Sequence, residues 1–311
     1  MPYTELLRRS LHIAWRNRWL WLLALFAGEA GGGGGSGGFG GNPFPGGNFQ
    51  RGGQAPPAAG LPDLTPVRQW IQDHAGLLVA AAVILVLAWI VLFILSCACA
   101  AAEVSGVQEI DGGRPSGLRR AWSLGRERFW PVLRLRLALL LLGLAALAFL
   151  GLVLAAGLVL ALAGNFVGLF VVVCLGISAL FTLVVAAFAL SLLIPIALRS
   201  AVLEDRPGWR ALRRAYGLTM ARPGRVLACW GLMVACQLGY GLVAGIAAVV
   251  VAVPALLAVG AAIAAGQVAL AIIPGGLIVL LLVVALVVAS AAFRAFYSTF
   301  WTLAFSRLET A

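Results

Sequence analysis

The chain of 311 residues contains no lysine, only two histidines and only 11 acidic residues, so that 22 arginines carry its positive side-chain charge. Charged residues make up 11% of the sequence, whereas they make up about 25% of a typical soluble domain. Hydrophobic residues make up 62%, and the mean hydropathy is +1.03. This composition excludes a soluble enzyme, a disordered chain and a disulfide-stabilised scaffold, and it indicates an integral membrane protein.

Charge is completely missing from two long intervals, residues 137–198 and residues 226–293. A membrane-spanning helix needs about 20 apolar residues because the hydrocarbon core of a bilayer is about 30 Å thick. Each interval therefore accommodates two spans, and residues 76–102 supply another. The sequence predicts an all-α fold, a polytopic transmembrane helical bundle with at least five spans.

The N-terminal segment, residues 1–30, supports two interpretations. Residues 19–28 form a short uninterrupted apolar run, which gives a sixth span if the preceding arginines reach the interface. The same segment has the basic start, apolar centre and small-residue cleavage site of a signal peptide. We expect six spans, or five if these residues are removed.

Three regions follow from composition. After residues 1–30, residues 31–63 are rich in Gly and Pro and predict a flexible external loop. Residues 64–311 form the helical membrane domain. The N-terminus, residues 103–136, residues 199–225 and the C-terminal tail together hold 20 of the 22 arginines. The positive-inside rule places these parts, including both termini, on the cytoplasmic side of the membrane.

A short basic motif is repeated in these cytoplasmic parts. Leu118–Leu124 matches Leu212–Leu218 at a constant offset, and a weaker third copy is Leu7–Ile13. The two stronger copies lie within interfacial repeats at residues 114–134 and 206–227, each predicted as an amphipathic helix lying at the headgroups. The candidate contacts with anionic lipid are Arg119, Arg120, Arg126, Arg213, Arg214 and Arg222. The alternative is that these arginines only fix the depth of the helices.

The repeated motif supports a resemblance. The Arg-Pro pairs, the Leu-Arg-Arg-Ala-aromatic runs and the segment Arg128–Leu133 lead into long apolar helices. In this the chain resembles the polytopic membrane domain that is joined to some bacterial glycerophosphodiester phosphodiesterases, and similar stand-alone bacterial membrane proteins. The resemblance implies a six-helix membrane domain. It implies no phosphodiesterase activity, because the catalytic barrel is missing from this sequence.

Residues that carry catalysis or bind metals are scarce. The predicted topology places His12 and His74 on opposite sides of the membrane, and the five cysteines lie within predicted spans. We therefore expect no catalytic residues, no cofactor and no metal. The most polar residues deep in a predicted span are Gln237 and Tyr240, the candidate intramembrane polar site.

These observations favour a non-enzymatic membrane scaffold, or a protein that binds anionic lipid or a partner at the cytoplasmic face. The alternative is a transport component for an uncharged or amphipathic solute, with Gln237 and Tyr240 along its route. The expected partners are membrane lipids and either a second protein or further copies of the chain. Nucleic acid is not expected, because lipid would cover the basic helices.

Overall fold

The computed structural model describes residues 3–28, 72, 74–163, 166–264 and 268–310. Of these residues 93% are helical and none lies in a strand, which confirms the all-α prediction. The Gly- and Pro-rich region predicted as a loop, residues 31–63, lies outside the described residues. In chain order the helices are α1 (Tyr3–Arg16), α2 (Trp19–Ala27), α3 (Ala75–Asp111), α4 (Leu118–Glu127), α5 (Phe129–Leu162), α6 (Phe166–Leu203), α7 (Gly208–Ala221), α8 (Pro223–Ala264) and α9 (Val268–Thr310).

Five helices in the described part of the chain, α3, α5, α6, α8 and α9, are long and apolar enough to cross a membrane. Within the most apolar 18 residues of each helix, at most 6% of the residues are buried by protein. The sixth predicted span corresponds to α2, which has nine residues and a length of about 14 Å at 1.5 Å per residue. Because α2 is too short to cross a bilayer, the described residues supply five spans.

The chain forms two structural units, and one of them consists of residues 35–94. Its described part is Gln72 and residues 74–94, which contain most of the apolar half of α3. The rings of Trp89 and Phe93, one helical turn apart, stack there with their centroids 5.6 Å apart. The other unit consists of residues 1–34 and 95–311, and it holds the basic repeats.

The buried core of this larger unit is formed mainly at the C-terminal ends of three spanning helices. We name these stretches the end segments: residues 97–111 of α3, 195–203 of α6 and 297–308 of α9. They are rich in Ala, Ser and Thr, and small side chains allow helix backbones to approach closely. Trp301 and Phe300 are fully buried among them. The helices thus bury their ends, while their apolar middles are left for lipid.

The short helices α1, α4 and α7 pack around this core. Gly125 of α4 lies so close to α3 that an added Cβ would be 2.6 Å from the Cβ of Ala102. In α7, the Ala211 carbonyl accepts a hydrogen bond from Ser200 Oγ of α6 at 3.2 Å. Helix α1 packs against α9. Each of α4 and α7 therefore contacts the spanning helix that precedes it, and α1 contacts the last helix of the chain.

A corner follows each short helix. Helix α4 ends at Glu127 and α7 ends at Ala221, and the residues that follow them, Arg128 and Arg222, are equivalent in the repeat. In the first copy the break falls at Asn17 and Arg18. The next helix starts within two residues of each corner, and Pro223 occupies the first position of α8, where a proline costs no helical hydrogen bond. The weak third copy of the motif thus has the same helix–corner–helix structure as the two stronger ones.

Candidate functional site

One small residue sets the rotation of each short helix. Ser10, Ala121 and Ala215 occupy equivalent positions of the three copies, and each has 0% exposure. Successive residues of an α-helix are about 100° apart around its axis. The residue immediately before the small one therefore lies at the flank of the helix, and the residue before that lies nearly opposite the buried face. These two positions are the two arginines of each Leu-Arg-Arg motif.

The second arginine of each motif is paired within the protein. Arg9 lies 2.6 Å from Asp111, Arg120 lies 2.9 Å from Glu109, and Arg214 lies 3.5 Å from Glu204. All three carboxylates belong to the C-terminal end of α3 or follow the end of α6. The second arginines therefore join the short helices to the ends of the spanning helices.

The first arginine of each motif is exposed. Arg8, Arg119 and Arg213 have neither an ion pair nor a hydrogen bond with any residue that the structure describes. The two arginines are adjacent and chemically identical in the sequence. The structure distinguishes them, because the small residue that follows them is buried and fixes which arginine faces outward. The motif thus supplies one guanidinium for folding and one that is available to a ligand.

The six predicted lipid contacts divide in the same way. Arg120 and Arg214 form the ion pairs given above, and Arg222 donates a 2.9 Å hydrogen bond to the Leu308 carbonyl near the end of α9. Arg126 is exposed, like Arg119 and Arg213, and has no partner among the described residues. Three of the six predicted residues are thus available to a headgroup, and three already contact protein.

The apolar face predicted for each short helix also divides into two parts. Its small residues pack against protein, as Ala121 and Gly125 do in α4. Its large residues stay outside the core, and an exposed tryptophan lies within or next to each short helix. Trp15, Trp130 and Trp209 are 61%, 62% and 73% exposed. Tryptophan is enriched at the boundary between membrane and water, which suits these positions.

Buried polar side chains within the end segments are residues that the sequence analysis missed. Arg199 has 0% exposure and donates hydrogen bonds to the carbonyl of Pro195 at 2.9 Å and that of Ser298 at 3.1 Å. Glu103 is also buried, at 1% exposure. The sequence predicts both residues in cytoplasmic segments because they end apolar runs. Their neighbours Ala102 and Ser200 are small, and that was the available signal that helices pack closely there.

Arg136, in the second turn of α5, is another missed residue. It donates hydrogen bonds to the hydroxyl of Ser96 in α3 and to the carbonyl of Ala27, the last residue of α2. Gly28 follows in a left-handed conformation with φ +64°, which glycine adopts without strain and which ends the helix. A guanidinium thus satisfies the C-terminal end of the short α2.

The structure does not bring Gln237 and Tyr240 into a polar site. Both are half-buried on α8, and the Tyr240 ring stacks on Phe293 with a centroid distance of 4.5 Å. Gln237 has no hydrogen-bonding partner among the described residues. Neither side chain lines a polar cavity between the end segments or either of two apolar cavities found among the described residues of this unit. The predicted intramembrane route has no support from these contacts.

The polar cavity lies between the end segments at the level of the ion pairs. Its volume is about 290 Å³, and its polar lining includes Gln108, Asp111, Glu204 and Thr302. Asp111 and Glu204 are the carboxylates that pair with Arg9 and Arg214. In the described part of the chain, no group of three His, Cys, Asp or Glu residues is placed to hold a metal ion.

Comparison with known proteins assigns a family. The model of a family of unknown function (DUF7544) matches residues 6–307, which include all three copies of the basic motif. The chain belongs to this family. No curated protein and no solved structure matches it. The family assignment covers both the short helices and the five spans, and the resemblance to the membrane domain of the phosphodiesterases stays a prediction.

Proposed function

We propose that this protein is a non-enzymatic, multi-pass protein of the bacterial inner membrane that binds anionic phospholipid headgroups at the cytoplasmic face. Arg8, Arg119 and Arg213 are the residues proposed to make the contacts. The observation that carries the proposal is the difference between the two arginines of each motif. Ion pairs with the end segments account for the second arginine, whereas no contact in the described protein accounts for the first.

The chemistry of arginine favours a phosphate as the missing partner. The planar guanidinium donates two parallel hydrogen bonds to a phosphate group, and it is weakly hydrated compared with an ammonium. Exposed tryptophans beside each short helix support a position at the headgroups. Near an anionic leaflet each arginine contributes about 1 kcal/mol to the free energy of lipid binding. Arg8, Arg119 and Arg213 together therefore contribute about 3 kcal/mol.

The proposed orientation follows from the distribution of arginine. The parts with 20 of the 22 arginines are placed in the cytoplasm, together with both termini. Green fluorescent protein, fused after residue 311 and expressed in a bacterium, is expected to fluoresce because it folds in the cytoplasm. An active alkaline phosphatase fusion at the same position would place the C-terminus outside and contradict the orientation.

Lipid-dependent stabilisation tests the function. The purified protein in neutral detergent is heated with added phosphatidylglycerol or with added phosphatidylcholine, and the unfolding temperature is measured. A ligand that binds only the folded state raises that temperature. We expect phosphatidylglycerol to stabilise the wild type more than phosphatidylcholine does, and we expect the variant with Arg8, Arg119 and Arg213 all changed to Gln to lose that difference.

The matched control changes the neighbouring arginines. A variant with Arg9, Arg120 and Arg214 all changed to Gln removes the same charge but breaks the internal ion pairs. It is expected to unfold at a lower temperature without lipid and to keep its preference for phosphatidylglycerol. Equal loss of the preference in both variants would mean that only total charge matters, as expected for arginines that merely anchor the helices.

A further inference from the structure

An apolar groove lies between three helices next to Arg119, the first arginine of the motif in α4. Its volume is about 590 Å³, and its walls come from Leu22 and Phe26 of α2, Leu95 of α3, and Leu118 and Trp122 of α4. The aliphatic part of the Arg119 side chain also lines it, whereas no polar atom contributes to the lining. This volume lies within the range of about 300–1,000 Å³ that is typical of sites for small organic molecules.

The walls of the groove remain accessible in the described chain. Leu22, Phe26 and Leu118 are 57%, 45% and 42% exposed. An apolar groove of this kind, closed on one side by protein and bordered by a single cation, matches a molecule with a long hydrocarbon part and an anionic end. A phospholipid of the surrounding membrane has this chemistry.

We infer that this groove binds one acyl chain of an anionic phospholipid whose phosphate is held by Arg119. The inference rests on the proposed function, because it assigns a defined binding site to one of the three first arginines. Arg119 has no ion-pair partner in the described protein, whereas the adjacent Arg120 is occupied by Glu109. Trp122 also lines the groove, and the inference assigns to its indole ring the contact with the glycerol region of the lipid.

Charge argues against a second copy of the chain as the occupant. In a twofold dimer the same patch of each copy faces the other. The exposed Arg119, which lines the groove, would then face an identical arginine, and like charges repel at close range. An anionic lipid neutralises the same patch.

Native mass spectrometry of the purified full-length protein tests the inference. The protein is stripped of lipid in detergent and then mixed with equal amounts of phosphatidylglycerol and phosphatidylcholine that have identical acyl chains. We expect the wild type to retain one phosphatidylglycerol under activation that removes weaker adducts. Leu22→Trp, which fills the groove, is expected to lose that retained lipid.

Two further variants serve as matched controls, Leu142→Trp for Leu22→Trp and Arg120→Gln for Arg119→Gln. Leu142→Trp places the same indole on the exposed part of α5 away from the groove, and it is expected to retain the lipid. Arg119→Gln leaves the groove open but removes the cation, so its preference for phosphatidylglycerol over phosphatidylcholine should fall about fivefold. Arg120→Gln, which removes a paired arginine, should leave the preference unchanged.

The outcomes separate the groove from the general function. If Leu22→Trp retains phosphatidylglycerol as well as Leu142→Trp does, the groove is not the site, even when anionic lipid still stabilises the protein. If wild type keeps no phospholipid and elutes as a dimer that Leu22→Trp dissociates, a second copy occupies the groove and the inference is wrong. If phosphatidylglycerol also fails to stabilise the wild type, the proposed function falls with it.

Discussion

The ends of the spanning helices and their middles are built from different residues and serve different purposes. In the end segments, Ala, Ser and Thr allow close packing, and polar side chains such as Arg199 find partners inside the protein. In the middles, Leu, Val and Phe project outward, and Leu152 and Phe181 are 69% and 70% exposed. The comparison shows that packing of helix against helix determines the fold at the end segments, whereas the middles of the spanning helices are left to be solvated by lipid.

The physical reason is that lipid tails are as apolar as leucine. Helices in a bilayer gain little by burying leucine against one another, and association depends on close packing and on hydrogen bonds. Both occur mainly at the end segments in the described part of this chain. Substitutions at the ends should therefore cost much more stability than substitutions of similar size in the middles.

The largest expected effect is at Arg199. Arg199→Ala removes hydrogen bonds from a charged donor to two carbonyls and leaves a cavity, which together should destabilise the protein by about 3 kcal/mol or more. The unfolding temperature of the detergent-purified protein measures the effect. Leu152→Ala is the control, because the Leu152 side chain is exposed on the part of the helix that faces lipid. Its free energy of unfolding should lie within about 0.5 kcal/mol of the wild-type value. Similar losses for the two variants would remove the contrast between ends and middles.

A smaller effect is expected where α4 touches α3. The Cβ of Gly125→Ala would lie 2.7 Å from the Ala102 backbone nitrogen, too close for any carbon. The helices must separate, at a cost of about 1–3 kcal/mol. Gly217→Ala in α7 is the control, because a Cβ there meets nothing within 4 Å. That variant should be as stable as wild type or more stable by about 1 kcal/mol, since alanine favours helix. A tolerated Gly125→Ala would show that α4 is not held in this position.

The smallest effect concerns the ion pairs of the second arginines. A double-mutant cycle of Arg120→Gln and Glu109→Gln should give a coupling energy of about 1 kcal/mol or less, because the Arg120 side chain is 54% exposed. Salt screens exposed pairs, so the coupling should decrease as ionic strength rises. The cycle is measured by thermal unfolding at low and high salt. A coupling of several kcal/mol that salt does not change would mean that this pair belongs to the buried core.

Much of the fold could be predicted from sequence because membranes impose long apolar runs. The uncharged intervals gave four spans and residues 76–102 gave the other, all of which the structure contains. The repeated motif predicted short basic helices at the places where α4 and α7 form. The structure of residues 19–28 was harder to predict, because a short apolar run is equally compatible with a membrane span, a signal peptide and a partly buried helix.

The division between the two arginines of each motif could not be predicted. It depends on which residue of a short helix is buried, and that is fixed by small residues on another helix, as Ala102 fixes Gly125. The burial of Arg199 was missed for a related reason. A charged residue at the end of an apolar run resembles an interfacial residue unless the packing of its neighbours is known.

The distance between guanidinium groups and lipid phosphate tests the central claim most directly. Protein labelled with ¹³C at the arginine Cζ is placed in phosphatidylglycerol bilayers, and ¹³C–³¹P dipolar dephasing is recorded by solid-state nuclear magnetic resonance. We predict dephasing in wild type that decreases clearly when Arg8, Arg119 and Arg213 are changed to Gln and decreases much less when Arg9, Arg120 and Arg214 are changed instead. Dephasing that survives in the first variant and disappears in the second would contradict the account.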